Sequence, residues 1–105
     1  MNDLAIGKQS RASHDVSLKI DGEWNIGNAA ELQERLSASL RADGDLVVDF
    51  GEVTAADTAI LQLICSFQKA AAEQGCRLRI AAFSPAIQNI AAALGLPLGG
   101  DGLGL

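Results

Sequence analysis

Carboxylates and hydroxyls gather at one junction of the chain, in the stretch DLVVDFGEVTAADTAILQLICSF (residues 45–67). An apolar run typical of a strand ends there, and a second apolar run with helical spacing begins. Five polar residues lie at this junction: Asp49, Glu52, Thr54, Asp57 and Thr58. In parallel α/β units, ligands and partners usually meet the fold where a strand ends and the next helix begins. This junction is therefore the first candidate for a functional site.

The hydroxyl of Thr58 is suited to regulatory phosphorylation. If the helix begins near Thr58, Asp57 is its N-cap, and the hydroxyl lies beside unpaired backbone amides and the positive end of the helix dipole. Helical spacing places Thr58 in line with Gln62, Cys65 and Lys69, on or near the polar face, so we expect it to be accessible. A phosphate would add about −1.5 to −2 charge, which Asp57 and any acidic partner surface would oppose. Such a switch would act mainly on a partner interface.

Other uses of the same residues stay open. Asp57 and Thr58 are favoured residue types for ordinary helix capping. Asp49 resembles the phosphoacceptor of a response-regulator receiver, but the acidic cluster and the late lysine that such a fold needs do not occur at matching places. Asp49, Glu52 and Asp57 could also bind a hard metal ion or act as a paired acid and base. Asp49 lies within an apolar strand, however, and no basic or aromatic groups converge in sequence to bind a substrate.

Composition limits the classes of protein that the chain can belong to. The chain has 105 residues, 49% of them hydrophobic, which is enough for one domain with a modest core. Its formal net charge of −5 argues against binding of nucleic acid or of an anionic membrane, because both need a basic patch. The N-terminus lacks the pattern of a signal peptide, and no run approaches about 18 apolar residues. We therefore expect a cytoplasmic protein that does not insert into a membrane.

Cysteine and histidine usage gives no sign of a metal or redox centre. Cys65 and Cys76 have neither CxxC spacing nor the paired clusters of a zinc site, so we expect reduced thiols. His14 is the single histidine and lies in a polar stretch, which disfavours histidine-based catalysis. We predict no metal and no cofactor.

A strand and a helix are predicted before the junction. Val16, Leu18 and Ile20 alternate with polar residues, as in a half-buried strand, and Trp24 and Ile26 can extend the same face.

The predicted helix follows this strand. Asn28 and Glu31 resemble a capping box, and the helix should end near Gly44. Its apolar stripe recurs every four residues: Leu32, Leu36 and Leu40. The next run, DLVVDFG (residues 45–51), is nearly continuous and rich in β-branched residues, which is typical of a central strand covered on both faces.

The same alternation continues after the junction. Helical spacing predicts a helix that Gly75 ends, with these residues on its core side: Ile60, Leu63, Ile64, Phe67 and Ala71. The segment CRLRIAAF (residues 76–83) alternates as a strand, with its leucine and isoleucine inward. Ser84 and Pro85 then predict the start of a helix that ends at Gly95. Its buried stripe is Ile87, Ile90, Ala91 and Leu94.

This order predicts an α/β fold. Strands that alternate with helices favour a single-layer mixed, mainly parallel β-sheet with right-handed crossovers and alternating α-helices. We divide the chain into a short edge strand or loose arm (1–14), one folded domain (15–96) and a glycine-rich flexible tail (97–105).

One run of the sequence, LVVDFGEVTAADTAILQLICSFQKAAAEQGCRLRIAAFSPAIQNIAAALGL, is similar to the core of a STAS domain, the fold of anti-sigma factor antagonists. The shared features are a strand that ends in Asp and a small loop, an Asp-Thr/Ser dipeptide that opens a helix, a Gly-x-x-Leu-x-Ile strand, and a Ser-Pro-Ala-Ile helix that ends in Leu-Gly-Leu. Upstream, KIDGEWNIGNAAELQERL resembles the first helical unit of that family. The similarity spans roughly residues 16–96.

The resemblance implies a non-enzymatic bacterial regulatory module that other proteins bind. Thr58 matches the family's phosphoacceptor, Asp57 the acidic residue before it, and Asn25 an often acidic position in the first strand–helix loop. The implied partner is a serine/threonine switch kinase or anti-sigma factor, which phosphorylates the module and so releases itself. The implied partner-binding surface comprises Asn25, Asp57, Thr58, Gln62 and Ser66.

The sequence departs from the family pattern at two positions. The common Asp-Ser-Ser/Thr-Gly form is here DTAIL, so Ile60 stands where glycine is frequent, and Asn25 lacks a carboxylate. The DTA-x-LQLL-like form resembles STAS proteins found with chemotaxis genes, and also the small STAS subunits of phospholipid-transport ABC systems. For such a subunit, the resemblance implies that the same surface makes a constitutive contact with an ATPase subunit, in which Thr58 is a structural residue.

Overall fold

The computed structural model describes residues 15–40, 42–99 and 102–103. Its elements are strand β1 (Asp15–Glu23), helix α1 (Ala29–Ser39), strand β2 (Asp45–Ala55), helix α2 (Thr58–Glu73), strand β3 (Arg77–Phe83), helix α3 (Pro85–Leu94), and the short strands β4 (Leu98–Gly99) and β5 (Gly102–Leu103). The edge strand or arm that the sequence predicts for residues 1–14 lies outside the described residues.

The strands β1, β2 and β3 form one parallel sheet in that order. Right-handed crossovers between neighbouring parallel strands place the connecting helices on the same face of the sheet. Helix α2 contacts both α1 and α3, and α3 packs on β2, so the three helices form one layer. The predicted α/β fold is confirmed, and the antiparallel pair of β4 and β5 forms a second, two-stranded sheet.

Burial along β2 alternates with a period of two residues. Leu46, Val48 and Phe50 are buried, whereas Val47 and Asp49 between them are half-buried. The strand is central, as predicted, but the expectation that both of its faces are covered is wrong. Because the helices share one face, they leave the side chains of the other face partly open to solvent. That openness explains how a carboxylate fits within an apolar strand.

The core lies between the sheet and the helix layer. Its buried members come from all three main strands and helices, among them Ile20, Leu36, Val48, Ile64, Ile80 and Ile87. The rings of Phe50 and Phe83 stack with their centroids 6.1 Å apart and 7° between their planes. Phe67 and Ala71 are buried, as predicted. Leu63 is only half-buried, because it lines a groove between α1 and α2.

Two large apolar side chains that were predicted to be buried are exposed. Ile26 has 77% of its surface exposed, and Leu94 has 49%. Trp24 continues the buried face of β1, but a turn at residues 26–28 carries Ile26 outward. Leu94 is the last residue of α3, directly before Gly95 reverses the chain in the left-handed region (φ 72°).

Helix α1 differs from its prediction at both ends. Asn28 is its N-cap, but the Asn28 side chain makes no capping hydrogen bond, so the predicted capping box is absent. The helix ends at Ser39, short of the predicted end near Gly44. Leu40 has extended backbone angles and Asp43 has a positive φ of 62°, so the chain leaves the helical conformation before the glycine.

The starts and ends of α2 and α3 match the prediction. The hydroxyl of Ser84 accepts from the backbone N–H of Ile87 at 3.3 Å, and Pro85 occupies the first turn of α3. Gly75 (φ 75°) and Gly95 (φ 72°) follow the two helices in the left-handed region that ends many helices. Neither helix, nor any other in the described ranges, has the length and hydropathy required to cross a bilayer.

The chain after α3 returns to α2. Strands β4 and β5 pair with each other, and Leu103 is buried. The side chain of Gln68 donates from Nε2 to the Leu103 carbonyl at 2.9 Å and accepts from the Leu103 N–H through Oε1 at 2.7 Å. One amide side chain thus pairs with the backbone as a neighbouring strand would. These residues lie in the segment predicted to be a flexible tail, and its glycine-rich composition did not indicate this packing.

Phe67→Ala tests the assignment of the core. The substitution removes a buried ring, so we expect the free energy of unfolding to fall by about 3–5 kcal/mol. Ile26→Ala, at a position that is 77% exposed, should change it by less than about 0.5 kcal/mol. Chemical denaturation followed by circular dichroism measures both. An unchanged denaturation midpoint for Phe67→Ala would show that this side of α2 does not face the core.

Gly102→Ala tests the packing of β5 on α2. Gly102 has a φ of 120°, and a Cβ added there would collide with the side-chain amide of Gln68. We therefore expect the substitution to release β5, so that the Leu103 amide exchanges hydrogen about tenfold faster. Gln68→Ala removes both hydrogen bonds and should act in the same direction, whereas Gln33→Ala on α1 should not. If the Leu103 amide still exchanged hydrogen slowly in both Gly102→Ala and Gln68→Ala, the two hydrogen bonds between Gln68 and Leu103 would not hold β5 on α2.

Candidate functional site

Two loops meet at the carboxyl ends of β1 and β2. The first is the β1–α1 loop (residues 24–28), and the second is the β2–α2 junction (residues 56–57). The backbone N–H of Trp24 donates to the carbonyl of Ala55 at 2.9 Å, which joins the start of the first loop to the end of β2. This is the edge of a parallel sheet at which ligands and partners usually bind.

The carboxylate of Asp57 connects these two loops. Its Oδ1 accepts from the backbone N–H of Ile60 at 3.2 Å, which caps the first turn of α2 as predicted. Its Oδ2 accepts from the backbone N–H of Ile26 at 3.0 Å, across 31 positions of sequence. Both oxygens of one side chain are therefore used, one by the helix and one by the β1–α1 loop.

The β1–α1 loop is also braced by its own asparagines. Oδ1 of Asn25 accepts from the Gly27 N–H at 2.8 Å, and Oδ1 of Asn28 accepts from the Asn25 N–H at 2.7 Å. The Asn28 amide also donates to the carbonyl of Glu23 at 3.0 Å. These contacts explain the absent capping box, because the Asn28 oxygen that would cap α1 is turned back into the loop.

Trp24 anchors the start of this loop in the core. It is 5% exposed, and its indole Nε1 donates to the Asp21 carbonyl at 2.7 Å. The guanidinium carbon of Arg35 lies 5.7 Å from the centroid of the indole ring, within the range of a cation–π contact. The start of the loop is thus held by a buried ring, while Ile26, two residues later, is exposed.

Thr58, Gln62 and Ser66 form an exposed stripe along α2. They are spaced by four residues, so they lie on one side of the helix, and the stripe is about 12 Å long at 1.5 Å per residue. Thr58 is the first residue of the helix, next to the capping carboxylate of Asp57. The structure thus places Asn25, Asp57 and Thr58 where the two loops meet, and Gln62 and Ser66 farther along the same side of α2.

A groove of about 510 Å³ runs beside this stripe, between α1 and α2. Gln62 and Ser66 form part of its wall, and Ile26 lies at one end. The described residues that line the groove carry no charge, and most are apolar or small, including Leu36, Leu40, Ala59, Leu63 and Ala70. The groove and the stripe therefore form one continuous surface with a polar and an apolar part.

Sequence reasoning missed Ile26 and the groove. The alternation of β1, extended through Trp24, placed Ile26 inward. The turn residues around it, in the segment Asn-Ile-Gly-Asn, were the available signal that the chain bends there and carries the side chain outward. The groove needs the relative placement of α1 and α2, which no local pattern specifies.

The other acidic residues of the junction do not form a site with Asp57. Asp49 lies on the face of β2 opposite Val48 and Phe50, and its Oδ1 accepts from the Gly51 N–H at 2.7 Å. Glu52 is exposed near the end of β2. In the described part of the chain, no three His, Cys, Asp or Glu side chains are grouped so that they could hold a metal ion.

Cys65 lies on α2 one turn from Gln62 and is half-buried. Burial raises the pKa of its thiol above the ordinary value, so the neutral form dominates at neutral pH. Because the thiolate is the reactive form, this environment disfavours nucleophilic chemistry at Cys65. The residue belongs to the packing of α2.

Comparison with known proteins identifies the family. A solved structure described as "Crystal Structure Analysis of Mglu" is similar in fold, with a TM-score of 0.54 and 20% sequence identity over 61% of this chain. The matched region is 16% of that larger chain, so the likeness concerns the fold alone. No curated protein gives a significant match. The family model described as "Mlab, STAS domain" matches residues 8–97, which include both loops and the α2 stripe. The chain belongs to the STAS domain family.

Proposed function

We propose that this protein is a non-enzymatic regulatory module whose binding to a protein partner is controlled by phosphorylation of Thr58. The observation that carries the proposal is the position of Thr58, exposed at the first residue of α2 and continuous with the stripe and the groove. Membership of the STAS family supports a role in protein–protein contact. The partner is a serine/threonine switch kinase or an anti-sigma factor in the cytoplasm.

The surroundings of Thr58 favour an effect on binding over an effect on folding. A negative group in the first turn of a helix is tolerated, because it lies near the positive end of the helix dipole. The same group adds its charge directly beside Asp57 and at one end of a surface whose groove is uncharged. A partner that covers this surface would have to bury that charge, which is costly unless the partner supplies a matching cation.

A second candidate is a constitutive subunit of a phospholipid-transport ABC system, and the groove favours it. An uncharged groove whose lining is mostly apolar or small suits a permanent contact, because obligate interfaces are more apolar than transient ones. In that case Thr58 is a contact residue, and no kinase acts on it. Association with chemotaxis genes stays a prediction from the sequence.

The test begins with the protein purified from its own organism. Intact mass and peptide mapping across residues 53–69 should show phosphate on Thr58 under at least one growth condition. Absence of phosphate under all conditions, together with a stable complex, would overturn the switch and favour the constitutive subunit.

Thr58→Glu separates the two candidates. We expect this variant to keep its helical circular dichroism and to change the melting temperature by less than about 4 °C, because its charge is accommodated at the helix start. The regulatory proposal expects loss of the complex that the wild-type protein forms in its own cells. Ser17→Glu is the matched control, since it adds the same charge at an exposed hydroxyl residue near the start of β1, away from the two loops, and should keep the complex. A complex weakened by Thr58→Ala and not abolished by Thr58→Glu would favour the constitutive subunit.

A further inference from the structure

The carboxylate of Asp57 joins the proposed phosphorylation site to the most exposed large apolar side chain of the described residues. Ile26 is 77% exposed and lies at one end of the α1–α2 groove. Its backbone N–H is bound by the same carboxylate that caps the helix beginning with Thr58. A change at Thr58 can therefore affect Ile26 through the neighbouring carboxylate of Asp57.

We propose that Asp57 is a positioning residue that holds Ile26 at the end of the groove, and that negative charge on Thr58 weakens this hold. The first half of the proposal is a property of the folded chain. The second half rests on the proposed function, because it describes how phosphorylation would change the partner surface beyond adding charge to it.

The contacts of the β1–α1 loop show why the Asp57 bond matters for Ile26. Trp24 is fixed in the core, and Asn28 is fixed by its bonds to Asn25 and Glu23. Both ends of the loop are thus held independently of α2. The bond from the Ile26 N–H to Asp57 ties the middle of the loop to the cap of α2.

Charge on Thr58 opposes this arrangement in two ways. A phosphate on Thr58 can accept hydrogen bonds from the backbone amides of the first turn of α2. There it competes with Oδ1 of Asp57, which binds the Ile60 N–H. It also places a like charge on the residue next to Asp57, and the two negative charges repel each other. If the Asp57 side chain reorients, its hydrogen bond to the Ile26 N–H is lost. The middle of the β1–α1 loop is then no longer bonded to the start of α2.

Asp57→Asn tests the hydrogen bond to the Ile26 N–H separately from the hydrogen bond that caps α2. Asparagine is as good an N-cap as aspartate, and its single oxygen can still accept from the Ile60 N–H. Its other terminal atom is an NH₂ donor, which cannot accept from the Ile26 N–H. The variant should therefore retain α2 and lose the hold on Ile26. Asp57→Ser also caps α2 with one oxygen and provides an independent second variant.

The measurement is amide exchange with water by NMR at Ile26 and Ile60. In Asp57→Asn and in Asp57→Ser, we expect exchange at Ile26 to rise about tenfold while exchange at Ile60 stays within about twofold of wild type. Thr58→Glu should raise exchange at Ile26 in the same direction, and the matched Ser17→Glu should leave it unchanged.

Each outcome bears on a defined part of the proposal. Equal exchange at Ile26 in wild type and in Asp57→Asn overturns the positioning role. Faster exchange in Asp57→Asn without any change in Thr58→Glu overturns the coupling to Thr58. None of these measurements requires a kinase or a partner, so their failure is distinct from absence of phosphate on Thr58, which would overturn the proposed function.

Discussion

One-sided burial of a three-stranded parallel sheet is the constraint on which the rest of this structure depends. Successive right-handed crossovers place α1 and α2 side by side on the same face of the sheet. That placement creates the core, the groove between the helices, and the meeting of two loops at one edge. It also leaves the second face of β2 half-buried, where Val47 and Asp49 lie. The candidate site is thus a product of the order in which strands and helices follow one another.

Local chemistry was predicted well from the sequence where a residue acts on its immediate neighbours. Asp57 and Ser84 cap the helices that follow them, and Gly75 and Gly95 end helices in the left-handed region. These outcomes depend on backbone amides within three or four residues, so residue type and position are sufficient. The location of Thr58 at the exposed start of α2 follows from the same local argument.

Predictions were wrong where a side chain had two possible partners or where burial depended on a distant element. Asn28 has the residue type of a cap, but its amide braces the β1–α1 loop instead. Ile26 follows a strand pattern, but the turn that exposes it is fixed in part by Asp57, which lies 31 positions away. Leu63 was assigned to the core and instead lines the groove, because α1 and α2 do not close over it. In each case the deciding contact is not local, so periodicity alone cannot specify it.

The two hydrogen bonds between the Gln68 side chain and the Leu103 backbone limit how much of α2 another protein can contact. One side of the helix faces the sheet through Ile64 and Phe67, and β5 covers a second side. The remaining arc is the one that carries the Thr58 stripe and borders α1. A partner that binds the exposed part of α2 therefore meets the Thr58 stripe and the adjoining groove. The last residues of the described chain thus reduce the surface of α2 that is open to a partner, from a side of the helix that carries neither the stripe nor the groove.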